Sequence, residues 1–334
     1  MNARSLRAAC AATLAFASVA AATPGPYEFV PLNQAGRNYA RAWEVNNAGV
    51  VVLEAGSAIG NTRAFRWENG VFTELPTLGG STIVRSINEA GVIVGTSTGP
   101  GGIFDQQAFQ WSGGSTLTVI PRPAAPNSVN NFPDDINEAG LVVGESNTAW
   151  TWSQANGYTL LPALNGGTSS TANAVNDNGW VVGNSAAAEG SRATLWRPGL
   201  APLNLGFIVE LGGTSVAFGI NNANVVVGNS GAFAGFTRAF RWTEASGLVD
   251  LGAPGGRSSF ANDINESGQI VGYASYSANP QNRAILWDTD GTAYELDQFL
   301  PAGSGWTLTE AYGINDLGWI VGRGTLAGQT QAFL

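Results

Sequence analysis

The chain has 334 residues, with 24 acidic side chains against 15 basic ones, all arginine, for a net charge of −9. It has no histidine, no lysine and a single cysteine, Cys10. Those absences exclude ordinary zinc and haem ligation, Ser-His and Cys-His nucleophile pairs, Schiff-base chemistry and Walker-type phosphate loops. An acidic chain without a basic cluster also argues against nucleic acid or an anionic membrane as partner.

Residues 1–22 have the layout of a secretory signal. Arg4 and Arg7 precede a small-residue apolar stretch over 8–20, and an A-x-A cleavage site lies just before Thr23. The stretch is too short to span a membrane. The mature chain, 23–334, is therefore expected to be exported as one domain. It has no cysteine left for a disulfide, so its core and its chain closure must hold it.

A strand is expected over 27–32, where Tyr-Glu-Phe-Val-Pro-Leu matches Phe72-Thr73-Glu74-Leu75-Pro76 later in the chain. From there a motif recurs, Asn-x-x-Gly followed by Val-Val-Gly or Ile-Val-Gly. It starts at Asn46, Asn88, Asn137, Asn176, Asn221, Asn265 and Asn315, with spacings of 42, 49, 39, 45, 44 and 50 residues. Such periods belong to four-stranded propeller blades. In the second repeat the strands are expected over 82–88, 92–97, 108–111 and 117–120, with a tight turn at 88–91. Asn can bond its own backbone two residues on, and Gly supplies positive φ. Apolar runs such as Val92-Ile93-Val94 fit sheets buried on both faces. The third strand repeats as Ala-Phe-Arg-Trp at Ala64 and Ala239, and its Trp reads as inter-blade filling.

The last repeat offers strands over 309–315, 319–322 and 331–334 but no fourth. The unpaired segment at 27–32 supplies it. The expected fold is thus all-β: a seven-bladed β-propeller of four antiparallel strands per blade, closed by the N-terminal strand completing the last blade.

At these residues the chain resembles the HAF family of bacterial extracellular repeats. The family pattern is matched by Ala261 to Gly272, by Ala239 to Trp242, and by Leu78-Gly79-Gly80 and Leu211-Gly212-Gly213. The resemblance covers essentially all of 23–334. It implies an exported, propeller-like bacterial protein, and it assigns no activity to particular residues.

In a propeller the motif turns share one face and the longer, irregular loops share the other. Loops over 98–107, 121–133, 230–237, 275–282 and 300–307 carry aromatics outside the repeat. Binding is expected on that face, through Phe104, Asp105, Phe132, Phe233, Phe236, Tyr276 and Trp306. Each of these aromatics could instead pin its own loop. Asp134-Asp135 and Asp263 lack the alternating pattern of a Ca²⁺ loop and read as turn caps. No motif selects a carboxylate pair for glycoside cleavage. The reading is a secreted, monomeric binding module for an extracellular glycan or a peptide or protein ligand, without cofactor, metal or membrane insertion. The alternatives are an extracellular carbohydrate-active hydrolase or lyase using carboxylate, Tyr and Arg, and a structural repeat protein of the envelope or matrix.

Overall fold

The computed structural model describes residues 27–33, 37–57, 62–102, 105–122, 131–164, 167–188, 190–208, 213–231, 235–276 and 281–334. The expected signal segment lies outside the described residues, as do Phe104 and Phe233. The described chain is all-β apart from a 3-10 turn at Leu296–Phe299. No helix among the described residues is long and apolar enough to cross a membrane.

Each repeat folds into antiparallel strands paired in chain order. The first comprises Tyr39–Val45, Val51–Gly56, Thr62–Glu68 and Val71–Glu74. Five separate four-stranded sheets follow with the same order. The last repeat supplies Trp306–Ile314, Ile320–Leu326 and Gln329–Phe333. Pro31–Leu32 pairs antiparallel with that third strand, Pro31 opposite Phe333 and Leu32 opposite Ala332. Val30 and Leu334 exchange two further backbone hydrogen bonds, at 2.7 and 3.0 Å. The N-terminal ladder covers Val30 to Leu32 rather than the expected 27–32, and the rings of Tyr27 and Phe29 pack on Phe299 and Trp306. One parallel bridge, Tyr39 to Thr330, ties the last repeat to the first.

The motif asparagines do more than cap a turn. In Asn88, Oδ1 accepts the N–H of Val92 at 2.8 Å, four residues on rather than two. The amide of the same side chain donates to the backbone oxygen of Asn137 at 3.1 Å. That second bond recurs from each motif asparagine to the next, and Asn315 returns it to Asn46 at 3.0 Å. All seven side chains are buried. Their turns close as expected, with Gly91 bonding back to Asn88 and lying at φ 79°. In the fifth repeat Asn224 holds the glycine position at φ 61°, as asparagine tolerates that region best after glycine. Gly49 has a second constraint, since a Cβ there would sit 2.6 Å from the ring of Trp319.

Sheets are buried on both faces. Ile93 packs towards the first repeat while its neighbour Val94 packs towards the third. The third-strand tryptophans fill these interfaces: Trp111 joins the core shared with the first repeat, and Trp242 the core shared with the fourth.

Every first strand also carries a β-bulge. The register against its partner slips between the residues four and two before the motif asparagine, as between Ala42 and Glu44. The bulged residues are Trp43, Arg85, Asp134, Asn173, Phe218, Asn262 and Tyr312. An extra residue turns two consecutive side chains to the same side, and this device builds the site described next.

Candidate functional site: the inner wall

The first strands lie side by side from repeat to repeat, and Trp306–Ile314 lies beside Tyr39–Val45. They form an inner wall to which each repeat contributes two layers of side chains. At its motif-turn end, residues from all seven turns line one depression of about 180 Å³. Glu44, Asp135 and Asp263 stand there, each two residues before its asparagine.

Two of these carboxylates stitch neighbours together. Asp135 accepts from Ser86 Oγ at 2.6 Å, from Ile136 N–H at 2.8 Å and from Val175 N–H at 2.9 Å. Asp263 accepts from Ile264 N–H at 2.7 Å and Ile314 N–H at 2.8 Å. Burial outweighs these donors. It raises the carboxyls of Asp135 and Glu44 and brings Asp263 to about 7, with Asp263 itself adding to the rise at Glu44. Gly313 leaves the room Glu44 needs, as a Cβ there would lie 2.7 Å from Glu44 Oε1.

Deeper along the wall is a cluster of arginines, acids and aromatics. Trp43 lies between the guanidinium carbons of Arg41 and Arg85, at 4.1 and 4.7 Å from its ring centre, and its ring meets Tyr312 at 4.9 Å. Its buried indole N–H has no hydrogen-bond partner among the described residues. Arg41 is paired with the fully buried Glu54. Glu310 accepts from Arg323 at 2.6 Å, from Tyr312 at 2.5 Å and from Asn282 at 3.1 Å. Burial pushes the Glu310 carboxyl up, but the Arg323 bond and the others hold it below its ordinary value. Burial, with the charge of Glu310, raises the Tyr312 hydroxyl.

Asp134 has weaker support. Its closest cation is Arg85, at 3.9 Å, so burial raises its carboxyl to about 7. Further round the wall, Phe260 stacks on Tyr273 at 4.4 Å and Phe218 is 37% exposed. The inner wall thus sets two carboxyls apart: burial raises Asp134, while the bonds from Arg323 and Tyr312 hold Glu310 below its ordinary value.

The loop residues fall differently. Asp105 holds its own loop, pairing with Arg122 at 3.1 Å and accepting from Gln107 at 3.1 Å. Tyr276 donates to Glu295 at 2.5 Å and lies over Gly255. Trp306 packs edge-on against Phe29 at 5.2 Å. Phe132 begins a first strand, opposite Glu145, rather than sitting in a loop. Phe236 is 45% exposed and is the one solvent-facing aromatic among those described. Among the described residues, Asp105, Tyr276 and Trp306 thus make these contacts with residues outside the expected set.

Trp43, Arg85, Asp134, Phe218 and Tyr312 lie outside the loops and were missed by that reasoning. A signal exists in the repeat itself. Four residues before each asparagine stands a small or apolar residue (Ala42, Val84, Pro133, Ala172, Ala217, Ala261, Ala311), while the next residue changes every time but one.

No family model matches the chain, and no curated protein matches it. Solved structures do. Virginiamycin B lyase from Staphylococcus aureus superposes with a TM-score of 0.59 at 12% identity, covering 92% of this chain and 98% of that one. A catalytically inactive histidine-to-alanine variant of that lyase, with quinupristin, gives 0.58 at 12% identity over the same shares. The β-propeller domain of the Trilobed protease from Pyrococcus furiosus, with an open velcro topology, gives 0.61 at 10% identity, covering 90% of this chain and 93% of that domain. At such identities the likeness shows the fold alone: the chain is a β-propeller.

Proposed function

We propose that the chain is an exported, HAF-type, seven-bladed propeller, closed by its N-terminal strand, that binds a carbohydrate on its inner wall. The asparagine circuit that returns from Asn315 to Asn46 supports the blade count, and the pairing of Pro31–Leu32 with Gln329–Phe333 supports closure. Residues 1–22 support export. The observation that carries the binding reading is the inner-wall cluster. The aromatic face of Tyr312 stands beside the Arg323–Glu310 pair, whose remaining lone pairs and N–H groups match sugar hydroxyls, and Phe218 exposes a second aromatic further round the wall. The buried, unpartnered indole N–H of Trp43 adds a donor.

A second reading is favoured by Asp134. A carboxyl near pKa 7 can give up a proton at neutral pH, and Glu310 is held ionised on the same wall. That arrangement suits a carbohydrate-active hydrolase or lyase. The histidine whose replacement leaves virginiamycin B lyase catalytically inactive has no counterpart, because this chain contains none.

Glycan-array binding by the purified chain, alongside release of reducing or unsaturated sugar, tests both readings. The expected outcome is binding that falls at least tenfold in Phe218→Ala and in Arg85→Ala, with melting little changed for the exposed Phe218. Binding that survives both changes and is lost with Phe236→Ala would put the site on the loop face instead. Turnover abolished by Asp134→Asn would favour the enzyme.

A further inference from the structure

Each bulged residue stands three places before its motif asparagine, so the bulges form one layer of the inner wall. The chemistry around that layer is uneven. Charge gathers in the last repeat and the first three, where Arg323, Arg41, Arg85 and Asp134 stand. The fourth to sixth repeats carry Asn173, Phe218 and Asn262 at their bulges. Two residues earlier they carry Thr171, Val216 and Phe260, paired across the strands with Asn184, Asn229 and Tyr273. None of these is charged.

Within the charged arc the three arginines differ. Arg41 is paired with Glu54 and Arg323 with Glu310, each acid being the cross-strand partner of its arginine. Arg85 has no such partner, because the matching cross-strand pair in its repeat is Ile83 with Thr96. Its one ion pair runs from Nε to Asp134 at 3.9 Å, and it makes no hydrogen bond among the described residues. Its terminal N–H groups are therefore without an acceptor. The side chain is 33% exposed, and its guanidinium carbon lies 4.7 Å from the ring centre of Trp43. A guanidinium held on an indole with its fork unoccupied is preorganised for the two parallel bonds a carboxylate accepts.

The neighbouring acids limit which anion fits. Asp134 and Glu145 both feel the charge of Arg85; burial raises each carboxyl, and that charge offsets part of the rise. A doubly charged phosphate would meet one cation against two acids, whereas a single carboxylate needs one planar pair. The uncharged arc supplies groups for the rest of a sugar. Asn173 and Asn262 each donate to the backbone of the next repeat, at Ala217 and Ala311, both at 2.7 Å. Each Oδ1 is left without a donor among the described residues, as an acceptor for hydroxyls, and Phe218 offers an aromatic face in the repeat between them.

We propose that the glycan held on the inner wall is an oligouronate, with one carboxylate on the fork of Arg85 and its hydroxyls and ring faces on the uncharged arc. This assignment rests on the inner-wall reading above and narrows it to acidic sugars.

The test titrates oligomers of galacturonate, glucuronate and mannuronate into the full chain by isothermal calorimetry. Each is run beside its carboxyl-reduced neutral counterpart, with a sulfated neutral oligosaccharide as a further arm. The expected result is a uronate oligomer that binds at least tenfold more tightly than its counterpart. Arg85→Gln should remove that preference, and Arg85→Lys, which keeps the charge without the fork, should retain only part of it. Phe218→Ala should weaken acidic and neutral sugars alike, with thermal melting confirming that each variant folds. Neutral counterparts that bind as tightly would overturn the proposal, as would a preference that survives Arg85→Gln or tighter binding of the sulfated sugar. If neutral sugars bind without that preference and Phe218→Ala weakens them, the inner wall stands as the site and its acidic specificity falls. Binding of no glycan at all overturns both.

Discussion

Asn137 shows how much of this molecule rests on one amide. Its Oδ1 accepts the Leu141 N–H at 2.9 Å, its Nδ2 donates to the Asn176 carbonyl at 3.0 Å, and the side chain is buried. Replacement by alanine leaves the Leu141 N–H without its acceptor and takes one of two donors from the Asn176 carbonyl, which keeps the Gly179 N–H, a loss of about 1–3 kcal/mol. Asn137→Asp is the sharper test. At neutral pH it keeps the acceptor but turns the donor into an anion facing a carbonyl, so it should destabilise at least as much as alanine. Near pH 4 the protonated acid can donate again, and part of the loss should return. Urea denaturation of both variants at pH 4 and pH 7 checks this; an aspartate variant with no recovery in acid would count against the donor role. The sequence showed these asparagines as turn residues. It did not show the bond between repeats, because that partner is 39 to 50 residues away, or 269 for Asn315, and is set by how sheets stack.

At the scale of the strand, the bulge decides what was legible. The motif, the turn glycines and the third-strand tryptophans repeat, so the sheets and their order could be read directly. The inner wall could not, because a bulge adds one residue and breaks the strict alternation by which a strand's faces are assigned. Glu44, Asp135 and Asp263 sit just past their bulges, and Asp134 sits on one. All have carboxyls raised above their unfolded values, Asp134 and Asp263 to about 7 from 3.8. A folded acid with a raised pKa binds protons that the unfolded chain has released. Its contribution therefore favours folding at low pH and is lost as pH rises from about 4 to about 7. Glu310 opposes this, being lowered. With four raised groups against it, the melting temperature should climb as pH falls from about 8 to about 5. Asp263→Asn should flatten that slope. A melting temperature that falls steadily over the same range would refute the assignment of these buried acids.

At the scale of the whole molecule, the first and last repeats meet at a seam between segments almost a full chain apart. Asn315 and Asn46 are 269 residues apart in sequence, yet they share the same hydrogen bond as repeats joined by a short connection. Joining the ends costs loop entropy that local contacts must offset. Leu32 is the side chain best placed to do so. It is fully buried, it pairs opposite Ala332, and it packs in one cluster with Val45, Leu53 and Phe65 of the first repeat and Val321 of the last. Leu32→Ala should therefore cost about 2–5 kcal/mol, as for any large side chain removed from a packed interior. Deleting residues 27–32 should do more, since it also leaves the strand Gln329–Phe333 as an open edge that invites aggregation. Denaturant melts of both variants, with light scattering of the deletion, provide the measurement. If Leu32→Ala melts within about 0.5 kcal/mol of the parent and the deletion stays monomeric and stable, the N-terminal strand only rests on the last sheet. The contact between the first and last repeats must then rest on the Asn315–Asn46 bond and the inner strands alone.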